Sequence, residues 1–134
     1  MRKIKFMAYI KSLGWLVAVE RICFDCNTVE VDLTNGQGDT CEYDFDEVIL
    51  IQYTGLNDCN DSEIFEGHLL DFKDKKHAHR IGVPFEVVYK SGSFMTKQKD
   101  INSDEEYRYN NLWDILFEYE LEIVGSVYDK PVNK

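Results

Sequence analysis

The longest unbroken run of branched aliphatic residues in the chain, Val48-Ile49-Leu50-Ile51, limits what can form around it. It is far shorter than the ~20 residues a membrane helix needs. Bounded by turn chemistry, it reads as a strand that is buried on both faces or pairs differently from its neighbours. The stretch continues through Gln52-Tyr53-Thr54-Gly55-Leu56 and breaks in a polar loop, Asn57-Asp58-Cys59-Asn60-Asp61-Ser62. It restarts at Glu63-Ile64-Phe65-Glu66-Gly67. Residues 1–60 read as one strand-rich unit and 61–134 as another, or the two count as a single small domain.

Alternation carries the rest. Ile4, Phe6 and Ala8 alternate with lysines and Met7 in a first strand, and Trp15 to Phe24 is a second. Val29, Val31 and Leu33 alternate with acids, Asn35-Gly36 signals a hairpin, and Cys41, Tyr43 and Phe45 return from it. A bend must follow before Val48. Phe65 to Phe72 reads as one strand. Arg80 to Tyr89 is another, with Pro84 at an edge, a strand start or a bulge, because proline has no N–H to donate. Lys90-Ser91-Gly92-Ser93 is a tight turn from which Phe94 to Thr96 returns. Lys97 to Asn110 is polar and is expected as a mobile loop. Asn111 can cap a short helix whose Leu112, Ile115 and Leu116 share a face, with Trp113 and Phe117 packed at its flanks. Tyr119, Leu121 and Ile123 alternate in a last strand, and Gly125 marks a bulge or a close backbone approach. The class is mainly β (α+β), with one short helix near the C-terminus.

The 134 residues carry a net charge of -10, with a sequence pI of about 4.7. An acidic chain is pushed away from phosphate backbones, so nucleic-acid binding is disfavoured. The charge is segregated. Glu42 to Glu66 holds eight acids and no Lys or Arg, Gly67 to Lys99 seven Lys/Arg, and Asp100 to Glu122 eight acids and one Arg. Solvated faces explain this; so does self-association, the basic strip of one copy meeting an acidic face of another. With no membrane span and no secretory pattern, a cytoplasmic protein with reduced cysteines is expected.

Gln52-Tyr53-Thr54-Gly55-Leu56, the Asn/Asp loop and Glu63-Ile64-Phe65-Glu66-Gly67 resemble the signature of the YopX family of phage and prophage proteins. So do Ile4-Lys5-Phe6 and the run Leu116 to Tyr128. The resemblance covers nearly the whole chain. It implies an SH3-like β-barrel after a mainly β N-terminal part, a homo-oligomer, and an origin in phages of Gram-positive hosts. It implies no activity. His68 stands where the family usually has an acid, and Met7-Ala8-Tyr9 where an Arg-Ala-Trp type of start is common.

Cys23-Phe24-Asp25-Cys26 has zinc-knuckle spacing, but Cys41, Cys59 and His77-Ala78-His79 do not make a standard second pair. Asp58, Asp61, Glu63 and Glu66 could gather around a cation. Counting from Asp58, however, the sixth position is Glu63 where a calcium loop needs glycine, so an Asx-rich turn is favoured. No metal, cofactor or catalytic residue is expected: there is no nucleophile elbow, phosphate loop or zinc-helix motif. Tyr53, Thr54, Asp58, Glu63, Glu66 and His68 are the candidate binding residues, equally readable as a structural lock. The expected role is a non-enzymatic accessory protein that self-assembles and binds a host or phage protein. The alternatives are an oligomeric protein sequestering a signal nucleotide through Lys73 to Arg80, and an acidic DNA mimic.

Overall fold

A computed structural model describes residues 3–34, 37–74, 84–99 and 106–129. They form a mainly β protein with two antiparallel sheets and one α-helix. The chain divides into two compact units between Tyr53 and Thr54.

Unit 1 holds β1 (Phe6–Ile10), β2 (Trp15–Cys23), β3 (Thr28–Asp32), β4 (Thr40–Asp44) and the start of β5 (Val48–Asn57), in the order β4-β3-β2-β1-β5. Alternation does the work here. Ala8, Ile10, Val29, Val31 and Val48 point into one core, with Val17, Val19, Ile22 and Tyr43 packed against it. β1 starts later than the pattern suggests, because Ile4 is left exposed. The bend expected before Val48 is a 3₁₀ turn, Phe45–Glu47, in which Glu47 Oε1 accepts from the Asp44 N–H at 2.9 Å. The expected Asn35-Gly36 hairpin lies outside the described residues.

Unit 2 holds the end of β5, then β6 (Glu63–Phe65), β7 (His68–Phe72), β8 (Phe85–Lys90), β9 (Ser93–Lys99), β10 (Tyr107–Asn111), α1 (Leu112–Glu118) and β11 (Leu121–Ser126). β6 lies beside β5. The other sheet runs β10-β9-β8-β7-β11, and α1 links its two edge strands. Ile64, Leu70, Phe85, Val87, Leu112, Ile115 and Leu121 form its core. The β8–β9 turn is tight, with Ser91 and Gly92 at φ 54° and 83°, and Pro84 immediately precedes β8. Asn111 Oδ1 accepts from the N–H groups of Trp113 and Asp114 and so caps α1. The β7–β11 register shifts between Ile123 and Gly125, the expected bulge.

Three expectations need correction. Phe65 to Phe72 is not one strand: it breaks at Glu66-Gly67, where Gly67 takes φ 87° and the chain passes from one sheet to the other. Lys97 to Asn110 is not simply a loop. β9 runs to Lys99 and β10 begins at Tyr107, their backbones paired although nearly every side chain is polar. Trp113 and Phe117 do not pack at the flanks of α1. They are 57% and 78% exposed and stack on each other, because Leu112 and Ile115 take the core-facing side.

Candidate interaction site

The signature residues are tied to main chain. The Thr54 hydroxyl donates to the Ile64 carbonyl at 2.8 Å and accepts from the Leu56 N–H at 3.2 Å, joining β5 to β6. Gly55 lies between them at φ 86°, which glycine adopts without strain. Asp58 is only 7% exposed. Its Oδ1 accepts from the N–H groups of Asn60 and Ser62, and its Oδ2 from that of Ile123 in β11, all at 2.9 Å. The neighbouring Cys59 N–H donates to the Leu121 carbonyl. The acidic loop is therefore an Asx turn stitched to β11. Glu63 opens β6 and Glu66 lies in the following turn, both half-buried. Burial, reinforced by the charges of Glu66 and Glu86, pushes the Tyr128 phenol above its usual range. Tyr53 is a buried residue at the end of unit 1, its N–H donating to the Lys5 carbonyl at 2.8 Å.

His68 Nδ1 accepts from the Phe65 N–H at 2.9 Å across the Glu66-Gly67 turn. This position needs an acceptor, and a carboxylate would serve it equally. Burial lowers the His68 pKa from 6.5, opposed by the negative charges of Asp129 and Asp58. The folded state therefore binds this proton less readily than the unfolded chain. The His68 contribution is complete above about pH 6.5 and is lost as pH falls through the lower folded value. Denaturant titrations from neutral pH downward should show that decline in the wild type. His68→Asp should show a smaller decline across the same window, and an identical pH profile would refute the assignment.

Away from the signature, unit 2 has a groove of about 440 Å³. Phe72, Phe85, Ile115 and Tyr119 supply its apolar lining, and Gln98, Arg108, Asn110, Asp114 and Glu118 are among its polar groups. Trp113 and Phe117 stand on the same helix with ring centroids 5.4 Å apart, flanked in sequence by Asp114 and Glu118. On the β8–β10 sheet, Lys90 sits 4.6 Å from the Tyr109 ring centre and Lys97 4.3 Å from that of Tyr107. Unit 2 thus carries an acidic, aromatic helix ridge and a separate lysine–tyrosine face.

A family model described as YopX protein matches residues 6–133. The chain belongs to the YopX family. Its fold is similar to the crystal structure of protein EF1440 from Enterococcus faecalis, with a TM-score of 0.61 and 23% identity over 98% of each chain. No curated protein matches it.

In this YopX-family chain, sequence reasoning reached the signature but missed the groove and both surfaces. Signals for the surfaces were present: Trp113 and Phe117 are four apart on a capped helix, and Tyr107/Tyr109 alternate as Lys97/Lys99 do. Among the described residues, no group of three or more His, Cys, Asp or Glu side chains is placed to hold a metal ion. No described helix is long and apolar enough to cross a membrane.

Proposed function

We propose that this YopX-family chain is a non-enzymatic phage accessory protein that assembles with copies of itself and, as an assembly, binds a protein partner. The observation that carries this reading is the stacked, exposed Trp113–Phe117 pair on α1. Large aromatics at a surface are the residues that dominate protein interfaces. The occupant is a second copy. The ridge is flanked by Asp114 and Glu118, and the lysine–tyrosine face of Lys90, Lys97, Tyr107 and Tyr109 offers the complementary charge. Such a contact is heterologous and generates a ring when the rotation closes. The SH3-like barrel belongs to the same proposal. It is supported by the five-stranded antiparallel order and by α1 joining the two edge strands. Non-enzymatic action is supported by Thr54, Asp58 and His68, which bond to main chain.

Sedimentation of the untagged protein at micromolar concentration tests this. The wild type should be oligomeric. Trp113→Ala with Phe117→Ala should weaken association by about 2 kcal/mol or more, roughly thirtyfold in Kd. A monomeric wild type, or an unchanged double variant, would overturn the reading.

A second reading is sequestration of a small polar ligand. It is favoured by the groove, whose volume falls in the ~300–1,000 Å³ range of ligand sites and which sets Arg108 and carboxamides against aromatic rings. The Lys75 to Arg80 part of the strip first suited to phosphates lies outside the described residues. Cyclic nucleotides that leave the melting temperature unmoved would remove this reading.

A further inference from the structure

We propose that Cys23 and Cys26 are one half of a tetrathiolate zinc site, completed by the same pair from a second copy of this chain. The two residues sit at the tip of the β2–β3 hairpin, Cys23 ending β2 and Cys26 lying in the exposed turn. The turn closes through Asn27 at φ 57°. Its geometry is that of a metal-binding knuckle. The Cys26 N–H donates to Cys23 Sγ at 3.2 Å, the bond that a metal-bound thiolate accepts and that holds it in place. Both cysteines also line one small recess. Two thiolates on one Zn²⁺, each at about 2.3 Å in a tetrahedron, are about 3.8 Å apart.

Zinc takes both cysteines as thiolates. Metal binding displaces both protons to solvent and involves no oxidation.

Among the described residues, one chain supplies two ligands to this site. Cys41 packs against the unit 1 core, and no third donor completes a set among the described residues. A structural zinc site is closed with four ligands, and a two-fold axis through the metal supplies the missing pair. Phe24, 76% exposed between the two cysteines, would lose exposure in such a contact. The recess beside the pair also contains Glu42 and Arg21, which is ion-paired with Glu30 at 3.4 Å. The groups that join the two copies are the metal ligands themselves, so this contact is metal-dependent, unlike the α1 contact, of which it is independent.

The test uses reduced, untagged protein stripped with a chelator and titrated with Zn²⁺, or with Co²⁺ as a spectroscopic stand-in. Native mass spectrometry should find one zinc per two chains. Co²⁺ should give the intense sulfur charge-transfer absorption of a tetrathiolate. Trp113→Ala/Phe117→Ala should keep zinc-dependent pairing even if its other association is lost. Cys23→Ser and Cys26→Ser should each abolish metal uptake and pairing, while Cys41→Ser should not. No uptake at micromolar zinc, one zinc per chain without pairing, or uptake surviving in Cys23→Ser would each overturn the proposal.

Discussion

Asp58→Ala should lower the stability of unit 2 by about 3–5 kcal/mol, the range for breaking a buried network around a charged acceptor. The carboxylate is 7% exposed and is the acceptor for three main-chain N–H groups, those of Asn60, Ser62 and Ile123. Alanine removes all three bonds at once, and each part-buried donor loses a charged acceptor. The Ile123 bond has the longest reach, since it joins the β5–β6 loop to β11. Asp58→Asn separates the contributions. Its single carbonyl oxygen can keep the Asn60 and Ser62 bonds, but its NH₂ then faces the Ile123 N–H, donor against donor. The asparagine variant should therefore fall between wild type and alanine, with its extra amide exchange concentrated at Ile123. Equilibrium unfolding in a Trp15→Phe background, followed by the fluorescence of Trp113 in unit 2, reads the loss. An alanine variant within about 1 kcal/mol of wild type would show that the loop does not depend on this carboxylate.

Gly67→Ala should be of similar size, and Gly55→Ala distinctly milder, although both glycines belong to the signature and both have positive φ, 87° and 86°. The left-handed backbone alone costs an alanine about 1–2 kcal/mol, and that is the whole expectation for Gly55, where an added Cβ meets nothing within 4 Å. At Gly67 the Cβ would run into the Tyr128 ring, with Cδ2 at 2.9 Å, and press Val127 Cγ2 at 3.1 Å. The backbone has little freedom to yield. The Gly67 N–H donates to the Val87 carbonyl, and the Gly67 carbonyl accepts from the Val127 N–H, both at 2.8 Å. Overpacking adds about 1–3 kcal/mol, for a total of about 2–5 kcal/mol. Gly67→Ala combined with Tyr128→Ala should recover part of that loss, whereas Tyr128→Ala should not rescue Gly55→Ala. Equal costs for the two glycine variants would mean that backbone conformation, not packing, selects glycine at both places.

These two predictions show where the sequence was legible. The polar loop around Asp58 was readable as an Asx turn because the side chain bonds N–H groups only two and four residues away. Its third bond, to a residue 65 positions on, left no trace in local spacing. Gly67 was absorbed into a single strand, Phe65 to Phe72, because apolar residues on both sides of a turn look the same as apolar residues within a strand. His68 drew notice only as a departure from the usual acid, and its role became visible once Phe65 was placed across the turn from it.

Local pattern by itself determined a good deal of this protein. It specified the mainly β class, the alternating strands of unit 1, the Ser91-Gly92 turn, the Asn111 cap, the Gly125 bulge and membership of the YopX family. All of these rest on backbone preferences, near-neighbour hydrogen bonds or residue order, which a linear sequence records directly. Tertiary structure alone decided that the chain changes sheets at Gly67 and that polar residues 107–111 pair as an edge strand. It also decided that Trp113 and Phe117 face outward, and that a groove opens between α1 and the sheet. Each of these depends on which distant segment takes up a backbone hydrogen bond or covers an apolar face. That choice is made by long-range packing, which residue spacing along the chain does not encode.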